Sequence, residues 1–179
     1  MQISEELNTI VSYAREEAMR TGSYAITPDH LFLGILRHKD NLACTLLTKL
    51  DADLEELKFL VESQLFHTHS IPYVHEDKVV LNRHSQNCLS RSVYEALRLE
   101  AEEAGAIHLL LSLCRCEDSF CKCCLESIEI DANTLEACMR DNKLLEDKKK
   151  NPEPQEKPSR KNTARVIGTI SIKAPEIFS

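Results

Sequence analysis

The sequence has little glycine, no tryptophan and no long apolar run. Only 4 of its 179 residues are Gly, and no G-x-x-x-x-G-K-[ST] string occurs, which excludes an ATPase phosphate-binding loop. The longest apolar stretch, around residues 106–114, is much shorter than the ~20 residues of a membrane span. Residues 1–20 carry charges throughout and lack the apolar core of a signal peptide. We therefore expect a soluble, cytoplasmic protein that is not itself an ATPase.

Basic residues are in the minority. Lys and Arg total 22 against 29 Asp and Glu, for a net charge of −7, so nucleic acid is not an expected partner. The balance reverses in residues 147–179, which contain eight basic and four acidic residues. In this stretch a Lys- and Pro-rich segment precedes the strand-like ARVIGTISI. The Lys- and Pro-rich segment has too few apolar residues to offset the entropy of ordering, and we predict a largely disordered tail. A lone strand is not stable by itself, so ARVIGTISI pairs with another element, stays disordered or is the remnant of a lost domain.

Before this tail, the apolar residues recur with helical spacing. The predicted helix starts are marked by residues that favour N-caps: Ser4, Thr27, Asp40 and Asp53. Thr27 is followed by Pro28 at the first helical position, where a missing N–H costs nothing. These signals predict four short helices in the first half of the chain.

The second half repeats the first at an offset of 78 positions. His30 corresponds to His108 and Asp53 to Asp131, and the offset holds without a gap for more than fifty residues. We therefore predict an all-α fold: a tandem, pseudo-twofold repeat of two four-helix units. The predicted domain is 1–146, with repeat one at about 1–66, a linker at 67–81, and repeat two at about 82–146.

The duplicated pattern resembles a known family. The string ITPDHLFLGILRHKDNLACTLLTKLDADLEELK and its echo IHLLLSLCRCEDSFCKCCLESIEIDANTLEA are similar to the N-terminal repeat domain of Clp unfoldase ATPases. The resemblance covers about residues 1–140. It implies an eight-helix bundle that captures substrate or adaptor proteins for an ATPase ring, without catalytic activity or a cofactor. The chain resembles this recognition module without its motor, so a separate Clp ATPase is an expected partner.

The resemblance also implies a binding role for the start of the second helix. In one branch of the family, the acid of a T-x-E-H motif helps to bind phosphorylated arginine. Thr27, Asp29 and His30 match that motif, with Asp in place of Glu. The second repeat has Ala106 and Ile107 in place of Thr27 and Asp29, and we expect no second site there. A structural interpretation is that Thr27 caps the helix, Asp29 complements the helix dipole and His30 packs near the helix start.

The cysteines have two interpretations. Eight Cys without a secretory signal favour reduced thiols, and their one- and four-residue gaps differ from those of structural zinc sites. The repeat offset assigns five of them to core positions: Cys88, Cys114, Cys121, Cys124 and Cys138. Cys116 and Cys123 fall at predicted surface positions. No metal site is expected, although a cysteine-based metal or redox sensor is one alternative function. A regulatory competitor of a Clp ATPase's own N-terminal domain is another.

Overall fold

A computed structural model describes residues 2–65, 69–117 and 119–150, with side chains described to residue 141. Within these residues the first half contains β1 (Gln2–Ile3), α1 (Glu5–Arg20), β2 (Ala25–Ile26), α2 (Pro28–Arg37), α3 (Leu42–Lys49) and α4 (Leu54–Ser63). A 3₁₀ helix (Tyr73–Lys78) leads into the second half. That half contains β3 (Val80–Leu81), α5 (Arg83–Arg98), β4 (Glu103–Ala104), α6 (Ala106–Cys114), α7 (Phe120–Ser127) and α8 (Ala132–Lys150). The predicted all-α class is confirmed.

The predicted duplication is visible element by element. Each strand and helix of the second half begins 78 positions after its counterpart in the first. The last helix is the exception in length, because α8 has 19 residues and α4 has 10. Helix α8 thus extends four residues into the predicted tail, and the strand-like segment 164–172 lies outside the described residues. The domain boundaries stay a prediction, although Val80–Leu81, predicted as linker, forms β3.

Most of the described helices begin where a short polar side chain accepts a backbone N–H group. Ser4, Thr27 and Asp53 are the N-caps of α1, α2 and α4, as the sequence predicts. The prediction that Asp40 caps α3 is wrong, because the cap is Asn41, whose Oδ1 accepts the Cys44 N–H at 2.8 Å. Asn41 can also donate, and its amide bonds the Ile35 carbonyl at 3.0 Å, which an aspartate could not do.

Helices α2 and α6 form the centre of the bundle. Every residue of α6 is buried, as is α2 from His30 to Leu36. A helix that is apolar on nearly all sides is stable only when other elements surround it. The two helices contact each other, and α2 also contacts α7 while α6 contacts α3. The two repeats therefore share one core.

Two short parallel ladders cross between the repeats. β1 pairs with β4 through Gln2 and Glu103, and β2 pairs with β3 through Ala25 and Val80. The two ladders are equivalent, because β3 lies 78 positions after β1 and β4 lies 78 positions after β2. Each repeat thus donates its first strand to the other repeat, which is the pseudo-twofold arrangement that the duplication predicts.

A buried glutamate holds the same place in each repeat. Glu17 binds Arg20 and Arg37, with its Oε2 at 3.1 Å from the Arg37 guanidinium. Its counterpart Glu95 is 2% exposed and binds Arg98 and Arg115 at 2.6 and 2.8 Å. Each guanidinium donates several charge-assisted hydrogen bonds, which offset the cost of burying the carboxylate. These networks join α1 to α2 and α5 to α6.

Candidate functional site

The predicted site lies at the start of α2, directly after β2. Thr27 Oγ1 faces the His30 backbone N–H at 3.4 Å, and the Thr27 backbone N–H donates to His30 Nδ1 at 3.0 Å. This reciprocal pair is a capping box in which histidine takes the place of the usual Glu or Gln. The predicted packing of His30 near the helix start is therefore confirmed.

The capping box also determines the state of the His30 ring. Because Nδ1 accepts the Thr27 N–H, Nε2 carries the proton of a neutral imidazole. Nε2 lies 3.1 Å from Thr21 Oγ1, and that hydroxyl is placed to donate to the Glu17 carbonyl at 2.9 Å. His30 is 1% exposed, so its ring joins the end of α1 to the start of α2 instead of facing solvent.

Asp29 reaches across the pseudo-twofold to the other repeat. Its carboxylate accepts the backbone N–H groups of Phe120 at 3.2 Å and Cys121 at 2.7 Å. These groups belong to the first turn of α7, where N–H groups lack helical partners and the dipole favours a negative charge. Asp29 also lies in the first turn of α2, so its carboxylate complements the dipole of its own helix, as predicted, and that of α7 as well.

The start of α6 has an equivalent histidine, His108, but its acid comes from a different helix. The Gly105 N–H donates to His108 Nδ1 at 2.9 Å, and the Ala106 N–H donates to Glu6 Oε2 at 3.0 Å. The prediction that Ala106 corresponds to Thr27 is wrong. Gly105 lies 78 positions after Thr27 and is the N-cap, whereas Ala106 is the first helical residue. Burial lowers the pKa of His108, and nearby Glu95 opposes this shift.

Thr27, Asp29 and His30 are thus close together, and each has an intramolecular partner. The structure gives all three a role in holding helix starts, and their predicted role in binding a ligand stays a prediction. Sequence reasoning missed Glu6, because its partner Ala106 is 100 positions away and no local pattern connects them. The 78-residue offset shows only that Glu6 has no acidic counterpart in the second repeat, where His84 takes its place.

Four exposed apolar residues lie in the β2–β3 ladder or within a few residues of it along the chain. We call Tyr24, Tyr73, Val74 and Val80 the ladder patch; they are 50, 71, 77 and 57% exposed. Tyr24 and Val80 are directly joined, since the Val80 N–H donates to the Tyr24 carbonyl at 3.0 Å. Tyr73 and Val74 begin the 3₁₀ helix that leads into β3. Clustered exposed apolar side chains on a globular protein mark interaction surfaces. Three of these residues lie in the segment 67–81 that the sequence predicts to be a linker.

Most of the cysteines belong to the core. Cys88, Cys114, Cys121 and Cys124 are buried as the offset predicts, while Cys138 is half-buried and Cys123 is exposed. Burial raises the pKa of the Cys114 thiol to about 12, and that of Cys121 well above its usual value. Such thiols are protonated and poorly nucleophilic at neutral pH. Cys116 is half-buried and packs against the core.

The described part of the chain has no candidate metal site and no candidate membrane span. It contains no group of three or more His, Cys, Asp and Glu side chains that could hold a metal ion. None of its helices is both long and apolar enough to cross a membrane.

Solved structures share this fold at low sequence identity. The N-terminal domain of the chaperone ClpD from Arabidopsis thaliana superimposes with a TM-score of 0.62 at 14% identity, covering 79% of this chain and 94% of that one. At that identity the similarity shows the fold alone.

Similar sequences are longer than this chain. The ATP-binding subunit ClpC of the ATP-dependent Clp protease of Staphylococcus aureus is 26% identical over 118 residues, which is 64% of this chain and 13% of ClpC. Protein Mb2686 of Mycobacterium bovis is 34% identical over 113 residues, covering 62% of this chain and 42% of that protein. The chain thus spans less than half the length of these relatives.

A family model gives the assignment. The model of the Clp repeat (R) N-terminal domain matches residues 2–103, a range that includes the elements of the first repeat, the β2–β3 ladder, α5 and the first residue of β4. Domains of this family are non-catalytic protein-interaction domains. The two crossed ladders, the capped starts of α2 and α6 and this match lead to one conclusion: the chain belongs to the Clp repeat (R) N-terminal domain family.

Proposed function

We propose that this chain recognises substrate proteins or adaptors for an ATP-dependent Clp unfoldase or protease system. The observation that supports the proposal is the ladder patch, with its four exposed apolar residues beside the junction of the two repeats. Tyrosine is enriched in protein–protein interfaces because it combines apolar area with a polar tip. Family membership adds the kind of partner, since the S. aureus relative is the ATP-binding subunit of a Clp protease.

The site at the start of α2 positions this patch. Thr27 follows β2 directly, and its capping box fixes α2 relative to the ladder. We propose that Thr27, Asp29 and His30 act on binding by holding β2, α2 and α7 in place. Direct binding of phosphorylated arginine at Asp29 is a separate prediction from the family resemblance. Such a ligand would share a carboxylate that already accepts the N–H groups of Phe120 and Cys121 and that has further lone pairs.

The test is a turnover assay with a Clp ATPase and an unfolded fluorescent client. We expect the full chain to raise the rate at which the ATPase processes the client, and Tyr73→Ser with Val74→Ser to abolish the increase. Phe59→Ser is the matched control, because Phe59 is 69% exposed but lies on α4, away from the ladder patch. An unchanged rate with wild-type chain, together with no binding to client or ATPase, would contradict the proposal.

The same assay separates the main alternative. A competitor of the ATPase's own N-terminal domain would lower client turnover, whereas a helper raises it. A metal or redox sensor would instead respond to a chelator or a thiol oxidant in the same assay. We also propose a cytoplasmic location, where such ATPases would meet the chain, and no membrane or nucleic-acid partner, in keeping with its net charge of −7.

A further inference from the structure

The first repeat contains a built-in peptide contact. After α4 ends at Ser63, the chain returns over the end of α1, and the Ile71 N–H donates to the Met19 carbonyl at 2.8 Å. Met19 and Ile71 are only 4 and 7% exposed. A non-helical segment with a branched apolar residue is thus joined to the last turn of α1 by a backbone hydrogen bond, and Ile71 and Met19 are both buried there.

In the second repeat, the equivalent surface is exposed among the residues that the structure describes. Leu97 is the counterpart of Met19, and it is 57% exposed; Tyr94, three positions earlier on the same helical face, is 61% exposed. The positions that correspond to Ser70–Pro72 are 148–150, which belong to α8 rather than to an extended segment. Within the described residues, Tyr94 and Leu97 therefore form an exposed apolar face. In the first repeat the equivalent Met19 is buried and its carbonyl is bonded by Ile71.

The backbone acceptor at this face is also equivalent. The Met19 carbonyl accepts the Gly22 N–H at 3.1 Å in addition to that of Ile71, and the Leu97 carbonyl accepts the Glu100 N–H at 3.1 Å. A carbonyl oxygen has two lone pairs, so Leu97 can accept the further N–H that Met19 receives from Ile71.

Charge around the face indicates which segment fits. The turn after α5 exposes three carboxylates, those of Glu100, Glu102 and Glu103. Their counterparts in the first repeat are Gly22, Tyr24 and Ala25, which carry no charge. A segment that binds beside three carboxylates gains from basic residues next to its apolar residue.

We propose that Tyr94 and Leu97 form a docking site for an extended segment of a partner protein that presents a branched apolar residue flanked by lysine or arginine. This inference rests on the proposed function and names the class of polypeptide that it recognises. The partner segment adopts the role that Ile71 has in the first repeat: its backbone N–H binds the Leu97 carbonyl, and its apolar side chain covers Leu97.

The test uses a fluorescein-labelled peptide with two lysines followed by residues 69–74 of this chain, HSIPYV, titrated with the full chain by fluorescence polarisation. We expect saturable binding that weakens with added salt. Leu97→Asp should weaken it by about tenfold or more. Tyr94→Glu, which introduces the residue found at position 16 of the first repeat, should also weaken it. Phe59→Asp is the matched control and should leave the affinity unchanged.

Leu97 is exposed, so Leu97→Asp should keep the wild-type thermal transition, and Tyr94→Glu provides a second variant of the same face. Binding that survives both variants overturns the inference, as does absence of binding to the wild-type chain. A dimer that Leu97→Asp dissociates in sedimentation velocity identifies a second copy as the occupant and also overturns it. The client assay with Tyr73→Ser and Val74→Ser is independent, so the proposed function can succeed where this inference fails.

Discussion

Gly22 and Glu100 occupy the same left-handed backbone conformation, with φ of 79° and 60°. The offset relates a second such pair, Asp51 and Glu129, at 65° and 64°. The duplication thus preserves backbone conformation even where the residue type no longer suits it. Glycine adopts this region freely, whereas a residue with a Cβ is strained there. Glu100 therefore destabilises the second repeat relative to a glycine at the same position.

Replacing Glu100 by glycine should stabilise the chain. We expect Glu100→Gly to raise the free energy of unfolding by about 1 kcal/mol, because it removes the left-handed strain. Urea unfolding followed by circular dichroism measures the change. Glu102→Gly is the control: it removes the same charge at an exposed position without a positive φ, and it should not stabilise. A gain of equal size in both variants would show that charge, not backbone strain, is responsible.

At the scale of the element, helix starts are stabilised from the opposite repeat. Asp29 on α2 serves the start of α7, and Glu6 on α1 serves the start of α6. Both acids lie in the first repeat, and both helix starts that they stabilise lie in the second. The pseudo-twofold therefore does not relate these two contacts to each other. The packing of the two repeats places each acid next to a helix start of the second repeat, where its carboxylate accepts backbone N–H groups.

Loss of the Asp29 carboxylate should destabilise the chain. We expect Asp29→Ala to lower the free energy of unfolding by about 1–2 kcal/mol, because two N–H groups of α7 lose their acceptor. Asp40→Ala is the matched control: Asp40 is exposed one residue before the true cap of α3, and its loss should change little. Equal stability of the Asp29→Ala chain and wild type would show that this acid is free for another role.

Much of this element structure could be predicted from the sequence. The caps Ser4, Thr27 and Asp53 are local signals, and the 78-residue offset relates Asp53 to Asp131, which accepts the Thr134 N–H at the start of α8. The two ladders could not be predicted, because two-residue strands have no period. The bond from Asp29 to Cys121 spans 92 positions and depends on how the repeats pack. The error at Asp40 has a local cause, since two adjacent residues can cap a helix and only the buried amide of Asn41 decides between them.

At the scale of the whole molecule, we expect the free energy of unfolding to decrease as the pH is lowered. Burial lowers the pKa of His108 below 6.5, so the unfolded chain takes up that proton first, and stability falls as pH drops below this value. Hydrogen bonds from Arg98 lower the pKa of Glu136 below 4.5. Its contribution is complete above 4.5 and is lost at lower pH, as protonation removes the charge that binds Arg98 and Arg115.

We therefore expect the free energy of unfolding to decrease in two stages on acidification, first below about pH 6.5 and again below about pH 4.5. Urea titrations across this range measure it. His108→Gln should remove the first stage, because glutamine keeps the capping bond but has no ionisable ring. Glu136→Gln should flatten the second. A wild-type chain whose stability is constant from pH 7 to pH 5 would contradict the assignment to His108.

The crossed ladders have an evolutionary consequence. Each repeat pairs its first strand with the other repeat, through Gln2 with Glu103 and through Ala25 with Val80. A polypeptide with only one repeat could form both ladders only by exchanging strands with an identical molecule about a true twofold axis. The present chain therefore has the geometry of a strand-swapped homodimer whose two subunits became joined in one gene. A single chain, unlike such a dimer, can have different residues in its two halves, and here the start of one central helix has Thr27 while the other has Gly105.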